Sequence, residues 1–183
     1  WVATVEFSPD GSALLTGTVD GWGRLWDTET GDLIHDAIFH KSHGGEVRRA
    51  IFSPDGDIIA TASHDGTVRL WSAADGSPIG EPLQHRARPN EFKMVWSAAF
   101  HPDGRLLATG TGTGGSPPSG EVRIRLWDVD TGAELARSDS MFGGVRCLDF
   151  SPDGELLASA GLDGNARLWN ASTLEPIGLP MPH

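Results

Sequence analysis

A single cysteine, Cys147, is all that the 183 residues contain. An internal disulfide is therefore excluded, and no cysteine-based metal spacing can be drawn. Cys147 stands in a β-prone run, where a small buried hydrophobe is the expected role. Long apolar runs are also missing: no stretch of eighteen apolar residues, no charged-then-apolar leader and no lipidation motif occur. No membrane partner is expected, and a cytoplasmic location follows only by default. Basic side chains are scarce, 14 against 25 acidic ones, for a net charge of −11. A body of that sign repels phosphate backbones, so nucleic acid is not an expected partner. Apolar residues at helical spacing are absent throughout, which leaves strands and turns.

What is present is repetition. Phe7-Ser8-Pro9-Asp10-Gly11, Phe52-Ser53-Pro54-Asp55-Gly56, Phe100-His101-Pro102-Asp103-Gly104 and Phe150-Ser151-Pro152-Asp153-Gly154 open four units. Leu25-Trp26, Leu70-Trp71, Leu126-Trp127 and Leu168-Trp169 answer them, at Phe-to-Trp separations of 19, 19, 27 and 19 residues. A period of about 45 residues marks a repeat architecture in which each unit needs its neighbours. In the second unit Val47 to Phe52, Ile58 to Ser63, Val68 to Trp71 and Ile79 to Leu83 read as strands, separated by Pro54-Asp55-Gly56, Asp65-Gly66 and Asp75-Gly76. Proline presets one turn angle and glycine takes the positive one. Four antiparallel strands with apolar residues on both sides form a sheet that must be covered twice. Stacking such sheets around an axis achieves this, so the expected fold is an all-β propeller of about four four-stranded blades, at approximately 1–43, 44–85, 86–140 and 141–183.

With the Phe-Ser-Pro-Asp-Gly, Asp-Gly and Arg-Leu-Trp-Asp elements phased four times, the chain resembles the WD-repeat (WD40) β-propellers over essentially its whole length. Ile79-Gly80-Glu81-Pro82-Leu83-Gln84-His85 and Ile177-Gly178-Leu179-Pro180-Met181-Pro182-His183 look like bacterial versions, many of which sit beside a kinase or another signalling domain. The resemblance implies a hydrogen-bonded tetrad of His, Ser or Thr, Asp and Trp in a blade. The second unit matches it with His43, Thr61, Asp65 and Trp71, His40 competing for the first place. The fourth keeps Ser159, Asp163 and Trp169, with Met141 at the His position; the first keeps Thr16, Asp20 and Trp26. The third keeps Thr109 and Trp127, with Glu91 at the His spacing and His85 as a residue that could reach back. The rings of this family usually hold about six to eight blades. Four blades then imply a piece of a larger ring, the preferred reading, or two copies closing one ring, or a true four-blade ring. Uncovered end faces would seek further blades of the same chain or a second copy.

Catalysis finds little footing. Asp10, Asp55, Asp103 and Asp153 recur in every unit, where an Asp in a tight turn caps backbone. The seven histidines show no paired metal spacing, no Gly-x-Ser-x-Gly elbow occurs, and the glycine-rich 110–120 stretch lacks the lysine of a phosphate loop. A non-enzymatic scaffold without cofactor or metal, binding a protein or peptide, is the expectation. The alternatives are blades of purely structural use and a small-molecule or metal site at the axis. The third unit carries the asymmetry: 7 basic and 7 acidic groups, an insertion at 86–93 before its first strand, and another at 112–120 between its second and third. Both links leave the same edge of an up-and-down sheet. Arg86, Arg88, Phe92 and Lys93, with Trp96 just inside the strand, are therefore partner-binding candidates, and Trp22, read in a turn on the same face of the first unit, is another.

Overall fold

The computed structural model describes residues 1–39, 45–85, 94–112, 122–139 and 143–183, with backbone alone for 36–39. All regular structure in them is β, and no helix is long and apolar enough to cross a membrane. The first sheet comprises β1 (Val2–Phe7), β2 (Ala13–Thr18), β3 (Trp22–Asp27) and β4 (Leu33–Phe39). The second comprises β5 (Val47–Phe52), β6 (Ile58–Ser63), β7 (Thr67–Ser72) and β8 (Pro78–Gln84). β9 (Met94–Phe100), β10 (Leu106–Gly112), β11 (Ile124–Asp128) and β12 (Glu134–Arg137) form the third. The fourth contains β13 (Val145–Phe150), β14 (Leu156–Gly161), β15 (Asn165–Asn170) and β16 (Pro176–Pro182). Each sheet is antiparallel and keeps chain order.

Turn chemistry fixes the β1–β2 hairpin and its equivalents. The Asp10 carboxylate accepts the Ser8 hydroxyl at 2.6 Å and the Ser12 amide at 3.0 Å, and Gly11 takes φ +75°. Asp55 and Asp153 repeat this with Ser53 and Ser151, both at 2.5 Å. In the third sheet His101 stands where the others have serine; its Nδ1 lies 2.7 Å from Asp103 and its Nε2 is 3.0 Å from the Gly154 carbonyl of the next sheet. The recurring carboxylates are thus occupied with their own turns.

The sheets pack face to face, each through the same pair of unlike faces. Ala13, Leu15 and Leu25 of the first sheet meet Ala50, Phe52, Ile59 and Trp71 of the second. The opposite face of the second, with Ile51, Ala60, Val68 and Leu70, meets Ala98, Leu107 and Trp127 of the third. Ala108, Ile124 and Leu126 of the third in turn cover Leu148, Phe150, Leu157 and Trp169 of the fourth. Two faces are left over. On the first sheet a register row runs Phe7, Leu14, Trp26, Leu33. Its Phe7 is 64 % exposed, whereas the equivalent Phe52 is 7 % exposed. On the fourth sheet the row Cys147, Ala160, Ala166, Met181 faces outward. Cys147 is consequently exposed. The expected burial of this thiol is corrected here, because burial of that face depends on a further sheet and not on the strand itself.

Carboxylates held by hydroxyl and amide donors favour the ionised form. Ser8 holds Asp10 down to about 2, and Asp55 and Asp153 lie below the usual range through Ser53 and Ser151. The unfolded chain takes up these protons near pH 4, so the stabilisation is complete above that value and disappears as pH falls toward 2. The thermal midpoint should fall over this window, and less steeply in the Asp10→Asn, Asp55→Asn double variant; equal slopes would remove the turns as the cause.

Candidate functional site

Three of the four tryptophans that close the third strands are buried, at 4 to 5 % exposure. A buried indole N–H needs an acceptor, and in every sheet a hydroxyl on the neighbouring strand provides it. Trp26 donates to Thr16 at 2.9 Å, Trp71 to Thr61 at 2.8 Å, Trp127 to Thr109 at 2.8 Å and Trp169 to Ser159 at 2.9 Å. The remaining tetrad positions differ between sheets. Asp65 accepts the Thr67 amide at 2.9 Å and its hydroxyl at 2.7 Å; His43 lies outside the described residues. In the third sheet His85, fully buried, places Nε2 2.7 Å from Thr109 Oγ1, with its ring 5.1 Å from that of Trp127. Asp163 of the fourth sheet pairs with Arg167. Asp20 is exposed at the β2–β3 turn, held below the usual carboxylate range chiefly by Thr18.

Of the partner-binding candidates, Arg86, Arg88, Phe92 and Lys93 lie outside the described residues. The strand ends that carry the two insertions are neighbours, since Met94 and Gly112 are register partners. Gly112 itself is the last residue of β10 and not part of the connection. Trp22 is the first residue of β3 rather than a turn residue, half-buried, with the Arg24 guanidinium 5.6 Å from its ring.

Trp96 sits at the axis. In every innermost strand the pairing register skips one residue: Ala3 in β1, Arg48 in β5, Trp96 in β9 and Arg146 in β13. A β-bulge leaves its extra residue out of the ladder and re-aims the side chain. Here all four line one cavity of about 440 Å³, together with Val2, Thr4, Val5 and Arg49. Glycine makes room for the largest of them. A Cβ on Gly112 would come within 2.3 Å of the Trp96 ring, and one on Gly144 equally close. The Arg146 guanidinium lies over this indole, 4.4 Å from its centroid.

The charges around the cavity are mostly paired. Arg48 contacts Glu46 at 3.2 Å and its Nε donates to His64 Nε2 at 2.8 Å; His64 Nδ1 is 3.1 Å from Glu46. A ring nitrogen that accepts from a guanidinium carries no proton, and burial, aided by Arg48 and Arg146 against Glu46, pushes the His64 pKa down. Arg49 lies 3.5 Å from Glu6, whose pKa burial raises against the Phe52 amide and Arg49. Arg48, Arg49 and Arg146 were not singled out by the sequence. Their spacing is ordinary for strands; the bulge, which no residue type announces, turns Arg48 and Arg146 toward the axis, and Arg49 follows in the ladder beside Arg48.

Replacing Ser159 with Ala leaves the Trp169 N–H buried without its acceptor. Such a loss costs about 1–3 kcal/mol, and denaturant unfolding should show it as a lower midpoint with an unchanged slope. An unaltered midpoint would refute a stabilising role for this bond.

Comparison with known proteins agrees with the geometry. The family described as "WD domain, G-beta repeat" matches residues 1–27, 36–72, 81–116 and 138–170. Pre-mRNA-processing factor 19 of Oryza sativa subsp. japonica is 37 % identical over 87 residues, 48 % of this chain and 15 % of that protein. Serine-threonine kinase receptor-associated protein of Gallus gallus is 36 % identical over 83 residues, 45 % of this chain and 21 % of the relative. Centriole proteome protein 16 of Chlamydomonas reinhardtii shares 37 % over 91 residues, 48 % of this chain but 4 % of its own length. The chain thus spans about a fifth or less of the length of these relatives.

Proposed function

The chain belongs to the WD40 repeat family, and from that premise we propose that it is a non-catalytic scaffold whose strand-entry edge docks a protein or peptide partner. One observation carries the reading. Residues that repeat with the blade are engaged in holding the blade, from the turn aspartates to the Trp–hydroxyl pairs. Among the residues that differ between blades, those not engaged in holding a blade include the axial set and the paired ends Met94 and Gly112 of the two insertions. Blade-to-blade difference is what a partner can distinguish. Arg86, Arg88, Phe92 and Lys93, which precede Met94 in the chain, are the proposed contacts, with Trp96 as the inner anchor, because Arg and aromatic side chains dominate interface energies. Trp22, covered in part by Arg24, is an accessory contact. Placement of such a scaffold in a bacterial signalling protein rests on the 79–85 and 177–183 segments alone.

The uncovered faces give the scaffold a second class of partner. The face bearing Phe7, Leu14, Trp26 and Leu33 shares its Phe, Leu or Ile, and Trp positions and their register with the faces that Phe52, Phe100 and Phe150 present to their preceding sheets. Its fitting cover is another blade of this kind, from a longer chain or from a second copy. Light scattering behind a sizing column separates the cases. A dimer supports two arcs closing one ring, and association without defined size supports blades supplied by a longer chain. A monodisperse monomer would show that these faces need no cover.

For the docking edge, the Arg88→Ala, Phe92→Ala double variant should lose at least tenfold in retention of proteins that the unaltered chain retains on a column, with a thermal midpoint within about a degree. A large fall in midpoint with retention unchanged would overturn the assignment.

A further inference from the structure

The bulge positions are equivalent in backbone yet occupied by Ala3, Arg48, Trp96 and Arg146. A packing role would favour like residues at like positions, as at the Phe and Trp rows. The charge of the lining is also opposite to that of the body: three guanidinium groups, Arg48 and Arg146 at bulges and Arg49 beside one, line the cavity in a chain of net charge −11. Two of these cations are answered, Arg48 by Glu46 and Arg49 by Glu6. His64, accepting from Arg48, adds no charge. Among the described residues Arg146 has no carboxylate partner; it is exposed and stacked on Trp96. Among the described side chains the cavity therefore holds one unit of uncompensated positive charge. Trp96 adds an unused donor, because its Nε1–H is buried with no hydrogen-bond partner among the described residues. An orphaned donor of this kind is a standing cost that a ligand oxygen relieves.

We infer that the cavity binds one carboxylate, the side chain of a Glu or Asp in a peptide partner, with Arg146 as its cation and Trp96 as the platform beside it. The charge count favours this over a phosphate group: one carboxylate neutralises the site, whereas a dianion leaves it negative beside Glu46 and Glu6. The planar guanidinium fork matches a carboxylate in two parallel bonds. The stack on Trp96 holds that fork in place before binding and contributes by cation–π attraction. Gly112 and Gly144 keep the indole where Arg146 can reach it. This inference deepens the docking reading and rests on it, since it specifies what the partner presents at the axis.

The test is nuclear magnetic resonance on the whole chain, following the indole N–H signals. Seven tryptophans give the set, and the signal missing in Trp96→Phe identifies the probe. N-acetyl-glutamate N-methylamide, which has a carboxylate only in its side chain, should shift the Trp96 signal saturably. Its glutamine counterpart should not. In Arg146→Gln the binding should weaken at least tenfold while the other six indole signals stay in place, which certifies the fold. Gly112→Ala, which displaces the indole and leaves Arg146 intact, should weaken it as well. An absent shift, an equal response to the glutamine compound or an unchanged response in Arg146→Gln overturns the site. Tighter binding of inorganic phosphate under the same conditions overturns the carboxylate assignment. Any of these failures with partner retention still lost in the Arg88, Phe92 variant would fall on the axial site alone and leave the docking edge standing.

Discussion

A four-stranded sheet that is apolar on both faces has to be covered twice, and this requirement governs everything else in the molecule. Each interior joint meets it with unlike faces, the Phe and Trp rows of one blade against the Ala, Val and Leu rows of the blade before it. Large rings against small aliphatic residues interdigitate without voids. The joint works only if the tryptophan is fixed, because a ring that turns its N–H into an apolar layer loses more than it gains by burial. A Ser or Thr on the adjacent strand provides that fixation in all four sheets. Burying a large side chain is worth about 1.5–3 kcal/mol, comparable to the cost of leaving its N–H unpaired. The bond therefore decides whether the ring stabilises at all.

Around that fixed pair the blades differ in how the rest of the network is completed. The third brings His85 in from the connection after β8, and the ring closes on Thr109 beneath Trp127. The fourth uses Asp163 with Arg167, an ion pair within one strand end. His101 departs from the serine of the other turns and ties its own hairpin to the Gly154 carbonyl of the next sheet. These are different solutions to one problem, placing polar partners where sheets and turns meet. They concern stability, and none of them opens toward the axis.

Most of the fold was legible because its determinants are local. Pro54-Asp55-Gly56 specifies a turn whichever sheets surround it, and the extent read for the second unit differs from the observed strands by a residue at some ends, as with Thr67–Ser72. The unlike-face packing was less legible, since burial belongs to neighbours. Cys147 has the environment of an inner strand in sequence and an exposed thiol in the fold because none of the described sheets covers it. Trp22 looked like a turn residue for the same reason that helix and strand ends are hard to place: Gly21 marks the turn, and the first ladder pair follows at once. Least legible was the bulge. Arg48, Trp96 and Arg146 alternate with their neighbours as any strand residue does, and only the skipped register reveals that they share one cavity.

That skipped register also separates stability from recognition. A side chain held in the ladder is constrained by the sheet beside it, so changing it disturbs a joint. A bulged one points out of the ladder into the axis and can change without repacking a core. The sign of the charge there has a further consequence. The acidic body repels strongly acidic partners at long range, yet screening limits that repulsion to about 8–10 Å at physiological salt. Inside that distance the one cation at the axis without a described carboxylate partner, Arg146, outweighs the body's field. A partner with one acidic side chain in a neutral or basic segment escapes the repulsion and still satisfies Arg146, whereas a polyacidic segment is opposed before it arrives. If the proposed axial site is the docking point, this distribution of charge selects for a single acid presented in a neutral or basic context.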